Sequence, residues 1–371
     1  MTNNKIPFVN LNRLNNRYKK KFLKIINQSI NNSAFIKGSN NFKFEKALCK
    51  KFECRYALSV NSGTDALIVA IKSLNFKKND EIIMTSNTWI SSAYAIVLNN
   101  AKPVFVDVNE DNFQMDINEF KKKITKKTKA CVITHLYGFP NHMDKILEIC
   151  KKYKIKIIED LAQSHLASYK NKLVGTFGDI SILSFYPSKN LGALGDGGAI
   201  ITNNKKLFNS CKKFSNYGSI DFKNPNHETI GINSRMDEIQ SAFLYEKLKN
   251  LSRHTNERIK IAKKYDYYCD KLNIKRIENK KGYKNVYHLY PIIIENRDLV
   301  KKKLEQLKIS TQIHYKIPIH LQKAFKYLKY KKNSLPITEK LANKILSLPF
   351  YVGIKQSEIK RIFNALKNIL K

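Results

Sequence analysis

An alternation of two residue patterns constrains this chain more than any other feature. Short β-branched runs, EIIMTS (81–86), KPVFVDV (102–108), ACVITHLYG (130–138) and IKIIED (155–160), are separated by stretches with helical spacing. Those stretches are TDALIVAIKSL (64–74), SSAYAIVLNN (91–100) and MDKILEICKKY (143–153). Short apolar runs without polar alternation predict strands buried on both faces. Their regular exchange with helices predicts a mostly parallel sheet covered on both sides, an α/β fold. Two further strands, ISILSFY (180–186) and GAIIT (198–202), flank a glycine-rich stretch, and a long helical region is expected from about Met236 to Asp270. Beyond roughly residue 250, YHLYPIII (287–294), a helix over RDLVKKKLEQLK (297–308) and STQIHY (310–315) predict a smaller α/β unit. It is closed by an amphipathic helix with Ile359, Ile362, Phe363, Leu366 and Ile369 on one face. The expected organisation is a large domain over residues 1–250 and a small one over 251–371, with the N-terminal segment packing near the small domain.

A net charge of +38 raises the question of a nucleic-acid partner. The lysines, however, are spread along the chain on what read as solvent faces of helices, and Asn and Ile are also used heavily. No helix-turn-helix, zinc knuckle or aromatic RNP pattern accompanies them, so neither nucleic acid nor membrane is expected as a partner. No apolar run approaches the roughly 20 residues of a membrane span. The first residues lack the apolar core of a signal peptide, and a cytoplasmic location is expected. Six scattered cysteines without a CxxC pair predict reduced, mostly buried thiols and no metal site.

Chemistry concentrates in SFYPSKNLGALGDGGAII (184–201), where Lys189 stands alone among Gly192, Gly195, Gly197 and Gly198 in a chain with only 13 glycines. Glycines let a backbone bend tightly and approach a ligand closely. In open α/β sheets ligands bind beyond the carboxyl ends of the strands. Asp160 closes one predicted strand, with Gln163 and His165 just after it; Ser184 and Tyr186 close another. NSGTDAL (61–67) places Ser-Gly-Thr before a helix, whose free N–H groups suit a phosphate. A phosphorylated ring that needs a lysine amine and a carboxylate is pyridoxal phosphate (PLP), whose aldehyde condenses with lysine and whose pyridinium nitrogen takes an Asp partner. Each residue alone has a plainer reading: Lys189 a solvated charge, Asp160 a helix cap, Trp89 core, His165 a buried hydrogen-bonded histidine, Asn233 a turn residue.

The motifs NSGTDAL, TWISSAYAI, KPVFVDV, THLYGFP, IIEDLAQSH, GDISILSFYPSKNLGALGDGGAI, NYGS and GINSRMDEIQSAFL run in one order from about residue 35 to 250, and IHYKIPIHLQ follows. In them the sequence resembles the DegT/DnrJ/EryC1/StrS sugar-nucleotide aminotransferases, within fold type I of the PLP enzymes (aspartate aminotransferase-like). The resemblance implies that Lys189 is the Schiff-base lysine and proton shuttle, and that Asp160 bonds the pyridinium nitrogen. It gives Gln163 the ring hydroxyl and Trp89 a stacking role. Gly63, Thr64 and Ser184 would hold the phosphate, with Asn233 reaching across from the partner subunit of a homodimer with shared sites. Family members with His at the Lys189 position dehydrate; lysine here implies transamination, with pyridoxamine phosphate carrying the nitrogen between half-reactions and glutamate as the usual donor. GDGG with Asp196, NYGS and NSRMDE resemble the subgroup acting at C3 of dTDP-3-keto-6-deoxyhexoses, which serves glycan biosynthesis. Tyr186, His314 and Tyr315 match positions that border the sugar there. A 4-aminotransferase acting on a 4-keto-6-deoxyhexose is the alternative. A nicotinamide-binding fold is not expected, since no GxGxxG follows an early strand.

Overall fold

A computed structural model describes residues 5–221 and 225–370 of the chain. Its strands, in chain order, are β1 (Tyr56–Val60), β2 (Glu81–Thr85), β3 (Lys102–Val106), β4 (Thr128–Thr134), β5 (Lys156–Asp160), β6 (Ser168–Tyr169), β7 (Lys172–Leu173), β8 (Ile180–Ser184), β9 (Gly198–Thr202), β10 (Lys275–Arg276), β11 (Tyr283–Lys284), β12 (Tyr290–Ile293) and β13 (Ile345–Leu348). The principal sheet runs β1-β9-β8-β5-β4-β2-β3. Its members from β3 to β8 are mutually parallel, while β9 runs antiparallel to both neighbours. The architecture is therefore the expected α/β fold with a mostly parallel sheet. β9 is the exception because β8 and β9 are sheet neighbours joined by the lysine-bearing turn, and antiparallel neighbours need no crossover helix. Every residue of β2 and β9 is buried, as strands covered on both faces must be.

The connecting helices form where the spacing places them, over Gly63–Ser73, Ser91–Leu98 and Met143–Tyr153. The first starts at an N-cap, Ser62, whose side chain accepts a hydrogen bond from the Asp65 N–H. Three expectations need correction. The helical region from Met236 is two helices, Glu238–Leu248 and Leu251–Lys271. The break follows from what each must cover: Leu244 and Leu248 pack with Phe44, Leu161 and Phe185 on the principal sheet, whereas Ala262, Tyr265 and Cys269 pack with Tyr290, Leu346 and Phe363. One straight rod could not serve both cores. Next, STQIHY forms no continuous strand; only Gln312 bridges to Ser347, and the segment then runs into a cavity wall. Finally, YHLYPIII is strand only from Tyr290. Before it the chain bends through Tyr287 at φ +48, with the His288 N–H donating to the Tyr137 carbonyl. Strand β1 and the N-terminal helices Lys19–Asn31 and Ser39–Phe52 lie outside the elements expected from sequence.

The second sheet, β10-β12-β13, carries its own core. The closing helix, Gln356–Leu370, buries Ile359, Ile362, Phe363 and Leu366 in it. Removing the Phe363 ring from such a site costs about 3–5 kcal/mol. Ile6 joins the same core and forms a parallel bridge with Ile309, which draws residues 5–9 across the molecule toward the mouth of β5 and β8. No helix among the described residues is long and apolar enough to cross a membrane.

Candidate active site

The carboxyl ends of β5 and β8 and the start of the Gly63–Ser73 helix meet at a cavity of about 860 Å³. Asp160 is buried at its floor. Its Oδ1 accepts from the Ala162 N–H (2.9 Å), and its Oδ2 from the hydroxyls of Ser92 (3.3 Å) and Thr134 (3.4 Å). Burial lifts the carboxyl above its ordinary range, against the pull of these donors and of Lys189. Lys189 faces it from the turn. Burial brings the amine down to about 8, although Asp160 acts in the opposite sense. A lysine at about 8 supplies neutral amine near neutral pH, the form that attacks a carbonyl.

The turn that carries Lys189 is pinned on several sides. The Leu191 N–H donates to His165 Nδ1 (3.2 Å), and the Leu194 N–H to Gln240 Oε1 (2.9 Å). Asn190 Nδ2 donates to the Val286 carbonyl (3.0 Å), and Lys247 Nζ to the Gly192 carbonyl. His165 is thus a buried support. It lies outside the cavity lining, and burial together with the Lys189 charge brings its ring down to about 3, so it is neutral.

Beside this pair the first N–H groups of the Gly63–Ser73 helix lack intrahelical carbonyls, and the helix dipole adds positive charge there. The only acid in the first turn, Asp65, is occupied by the Ser234 hydroxyl (2.8 Å). A side chain on Gly63 would meet Ser184 Cβ at 2.6 Å, so glycine alone lets this helix end approach Ser184. An anion cradle, a buried carboxylate and a desolvated lysine at the floor of one cavity fit the phosphate, ring nitrogen and aldehyde of PLP.

The comparisons with known proteins agree. The DegT/DnrJ/EryC1/StrS aminotransferase family model matches residues 16–367. The chain belongs to that family. It is 37% identical, over 97% of its length and 98% of the relative's, to a dTDP-3-amino-3,6-dideoxy-alpha-D-galactopyranose transaminase of Aneurinibacillus thermoaerophilus. It is 34% identical, over 99% of both chains, to a UDP-N-acetyl-3-dehydro-alpha-D-glucosamine 3-aminotransferase of Acidithiobacillus ferrooxidans. The crystal structure of NtdA from Bacillus subtilis with bound cofactor PMP superposes with a TM-score of 0.92 at 32% identity, covering 99% of this chain and 85% of that one. The chain is a PLP-dependent sugar aminotransferase.

For this aminotransferase the cavity gathers Gly63, Thr64, Trp89, Asp160, Gln163, Ser184, Tyr186, Lys189, His314 and Tyr315. Trp89 is 60% exposed and leans on Tyr315 (ring centroids 6.0 Å), so it is no core residue. Gln163 is engaged at both ends, accepting from the Tyr137 N–H (2.8 Å) and donating to the Tyr315 hydroxyl (3.1 Å). His314 meets the Ser347 hydroxyl through Nδ1 (3.0 Å), and burial and Lys189 hold its ring neutral at about 4. Asn233 is exposed, bridges to Asn216 and does not line the cavity. Sequence reasoning missed Arg258 and His288, which line the cavity, and the supports Ser92, Thr134 and Lys247. A signal for Arg258 existed. It occupies a buried position in the seam Leu251, Thr255, Arg258, Ala262, Tyr265, where the helical pattern asks for an uncharged residue.

Proposed function

We propose that this enzyme transfers an amino group from glutamate to C3 of a dTDP-3-keto-6-deoxyhexose, giving a dTDP-3-amino-3,6-dideoxyhexose for glycan assembly. The observation that carries the chemistry is the buried Lys189 amine at about 8 opposite buried Asp160. Bound PLP supplies an electron sink for the charge left at the substrate carbon when its proton departs. Lys189 would accept that proton on its amine and act as its shuttle. Asp160 keeps the pyridine nitrogen protonated. Gly63, Thr64 and Ser184 bind the phosphate, Trp89 covers one ring face, and Gln163 orients the ring oxygen. Tyr186, His314 and Tyr315 border the sugar. Asn233, exposed on its own chain, serves the site of a second copy in a homodimer. The catalytic cavity then lies between a large domain, residues 1–250, and a small one, 251–371. The enzyme works in the cytoplasm, and its positive field attracts an anionic nucleotide rather than a nucleic acid.

Both relatives described above carry position 3 in their names, which supports C3; one is named for a dTDP sugar and the other for a UDP sugar, so the choice of dTDP rests on the GDGG, NYGS and NSRMDE motifs. The test offers the 3-keto and 4-keto isomers separately with glutamate and locates the nitrogen by NMR. Efficient turnover of the 4-keto isomer alone would replace C3 with C4, and turnover of UDP but not dTDP sugars would replace the base.

A further inference from the structure

Arg258 is 6% exposed, and it lines the cavity. Its Nη1 donates to the carbonyls of Tyr287 (3.0 Å) and His288 (3.4 Å), and its guanidinium carbon lies 5.8 Å from the centre of the Phe350 ring. Among the described residues no carboxylate pairs with it, and its hydrogen bonds all come from Nη1. Burial brings the group down to about 10, which leaves it a cation at neutral pH. Buried charges are ordinarily paired. This one has half of its donor fork unused on the wall of a substrate cavity, so the missing partner is an anion that arrives with substrate.

Which anion follows from the neighbours. The His288 carbonyl accepts from Arg258 (3.4 Å), and its ring Nδ1 meets Oδ1 of Asn190 (3.3 Å), the residue that follows Lys189. One residue, His288, therefore links the guanidinium to the turn that carries Lys189. A transaminase cavity receives two substrates in turn. The keto-sugar brings a ketone and hydroxyls to the reacting carbon, and its negative charge is on the diphosphate. An amino-acid donor brings one carboxylate on the reacting carbon itself. A dicarboxylic donor brings a second, a few bonds further out, and Arg258 lines the same cavity as Lys189. Guanidinium matches carboxylate as a planar two-point donor.

We propose that Arg258 receives the distal carboxylate of a dicarboxylic amino donor and sets the preference for a glutamate-like donor over a neutral amino acid. The proposal rests on the transamination reading above. It is tested with holoenzyme by following the loss of the aldehyde form of the cofactor, in single half-reactions, with glutamate and with norvaline, which has the same carbon chain without the distal carboxylate. The parent should favour glutamate strongly. Arg258→Gln should cut the glutamate-over-norvaline ratio by about 10²-fold, mainly through the half-saturating glutamate concentration. Arg258→Lys should recover part of it, and the separate half-reaction with keto-sugar should change far less. Calorimetry on cofactor-free protein adds an independent readout: glutarate should bind the parent and not Arg258→Gln. An unchanged ratio in folded Arg258→Gln, equal loss of both half-reactions, or no glutarate binding by the parent would overturn the assignment. If Arg258→Gln fails to fold, the Arg258→Lys ratio and parent glutarate binding decide. A parent that loads from norvaline as readily as from glutamate keeps the transamination reading and removes only Arg258; a parent that loads from no amino acid removes the reading itself.

Discussion

The floor and the wall of the cavity are built in different ways. The floor residues Asp160, Ser184 and Lys189 come from two adjacent strands and the turn after one of them, and backbone hydrogen bonds set each in place. The wall is assembled from distant segments: Phe8 near the N-terminus, Arg258 in a helix, His288 before β12, His314 in a loop and Phe350 after β13. On the floor a carboxylate and an amine perturb each other's titration; on the wall two histidines are simply kept neutral. The difference teaches where to look for each property: if the proposed roles hold, reaction type is set locally at the floor and partner choice by the distributed wall. Damage to the floor should reduce turnover with every substrate, and damage to the wall should reorder substrates, as the Arg258 donor ratio tests.

The sharpest way to break this distinction is Lys189→Met. Turnover should fall by about 10⁴-fold or more, on the scale of losing a general acid–base group together with the covalent anchor. Borohydride reduction of the parent, followed by peptide mass spectrometry, should find the cofactor on Lys189. Attachment to Lys247 instead would refute the floor assignment. Next in size, Asp160→Asn should fold and still bind cofactor, yet turn over about 10²-fold more slowly with every donor and acceptor alike. A loss confined to one substrate would make Asp160 a wall residue in function.

The smallest effect is on stability. The Lys189 amine is brought down to about 8 from 10.5, so below pH 8 the cofactor-free fold carries the full cost of burying its charge. As pH rises from 8 toward 10.5 the unfolded chain holds the proton that the folded one has lost, and that cost is relieved. Cofactor-free Lys189→Met should therefore be more stable than the parent below pH 8, and the advantage should shrink toward pH 10.5. Urea titrations of both proteins across that range measure the difference. A constant gap would mean that the amine is solvated.

The same contrast explains what could be read from the sequence. Lys189 was legible because glycines isolate it, and Asp160 because it ends a run of apolar residues that can only be a buried strand. Six of the seven strands of the principal sheet were found to within a few residues for the same reason, and β1 was not. Lys247 was not legible, and Arg258 only through its place in an otherwise uncharged helical seam. In a chain with 68 lysines and arginines a basic residue on a helix reads as solvent-facing, and tertiary packing shows that these two are enclosed. The break between Leu248 and Leu251 has no glycine or proline to announce it; Lys249 and Asn250 give way because two cores pull neighbouring helices in different directions. STQIHY carries a strand-like pattern, but most of its side chains have a cavity beside them rather than a neighbouring strand.

The antiparallel entry of β9 has an evolutionary consequence. Ser184 and Gly198 are paired across the β8–β9 ladder, so the whole segment 185–197 leaves and re-enters the sheet at one rung. Its bends are therefore free of the strand register, and what fixes them comes from outside the sheet: His165, Gln240, Lys247 and the Val286 carbonyl. A scaffold with this wiring can remodel the segment only together with those four anchors, while every strand keeps its register.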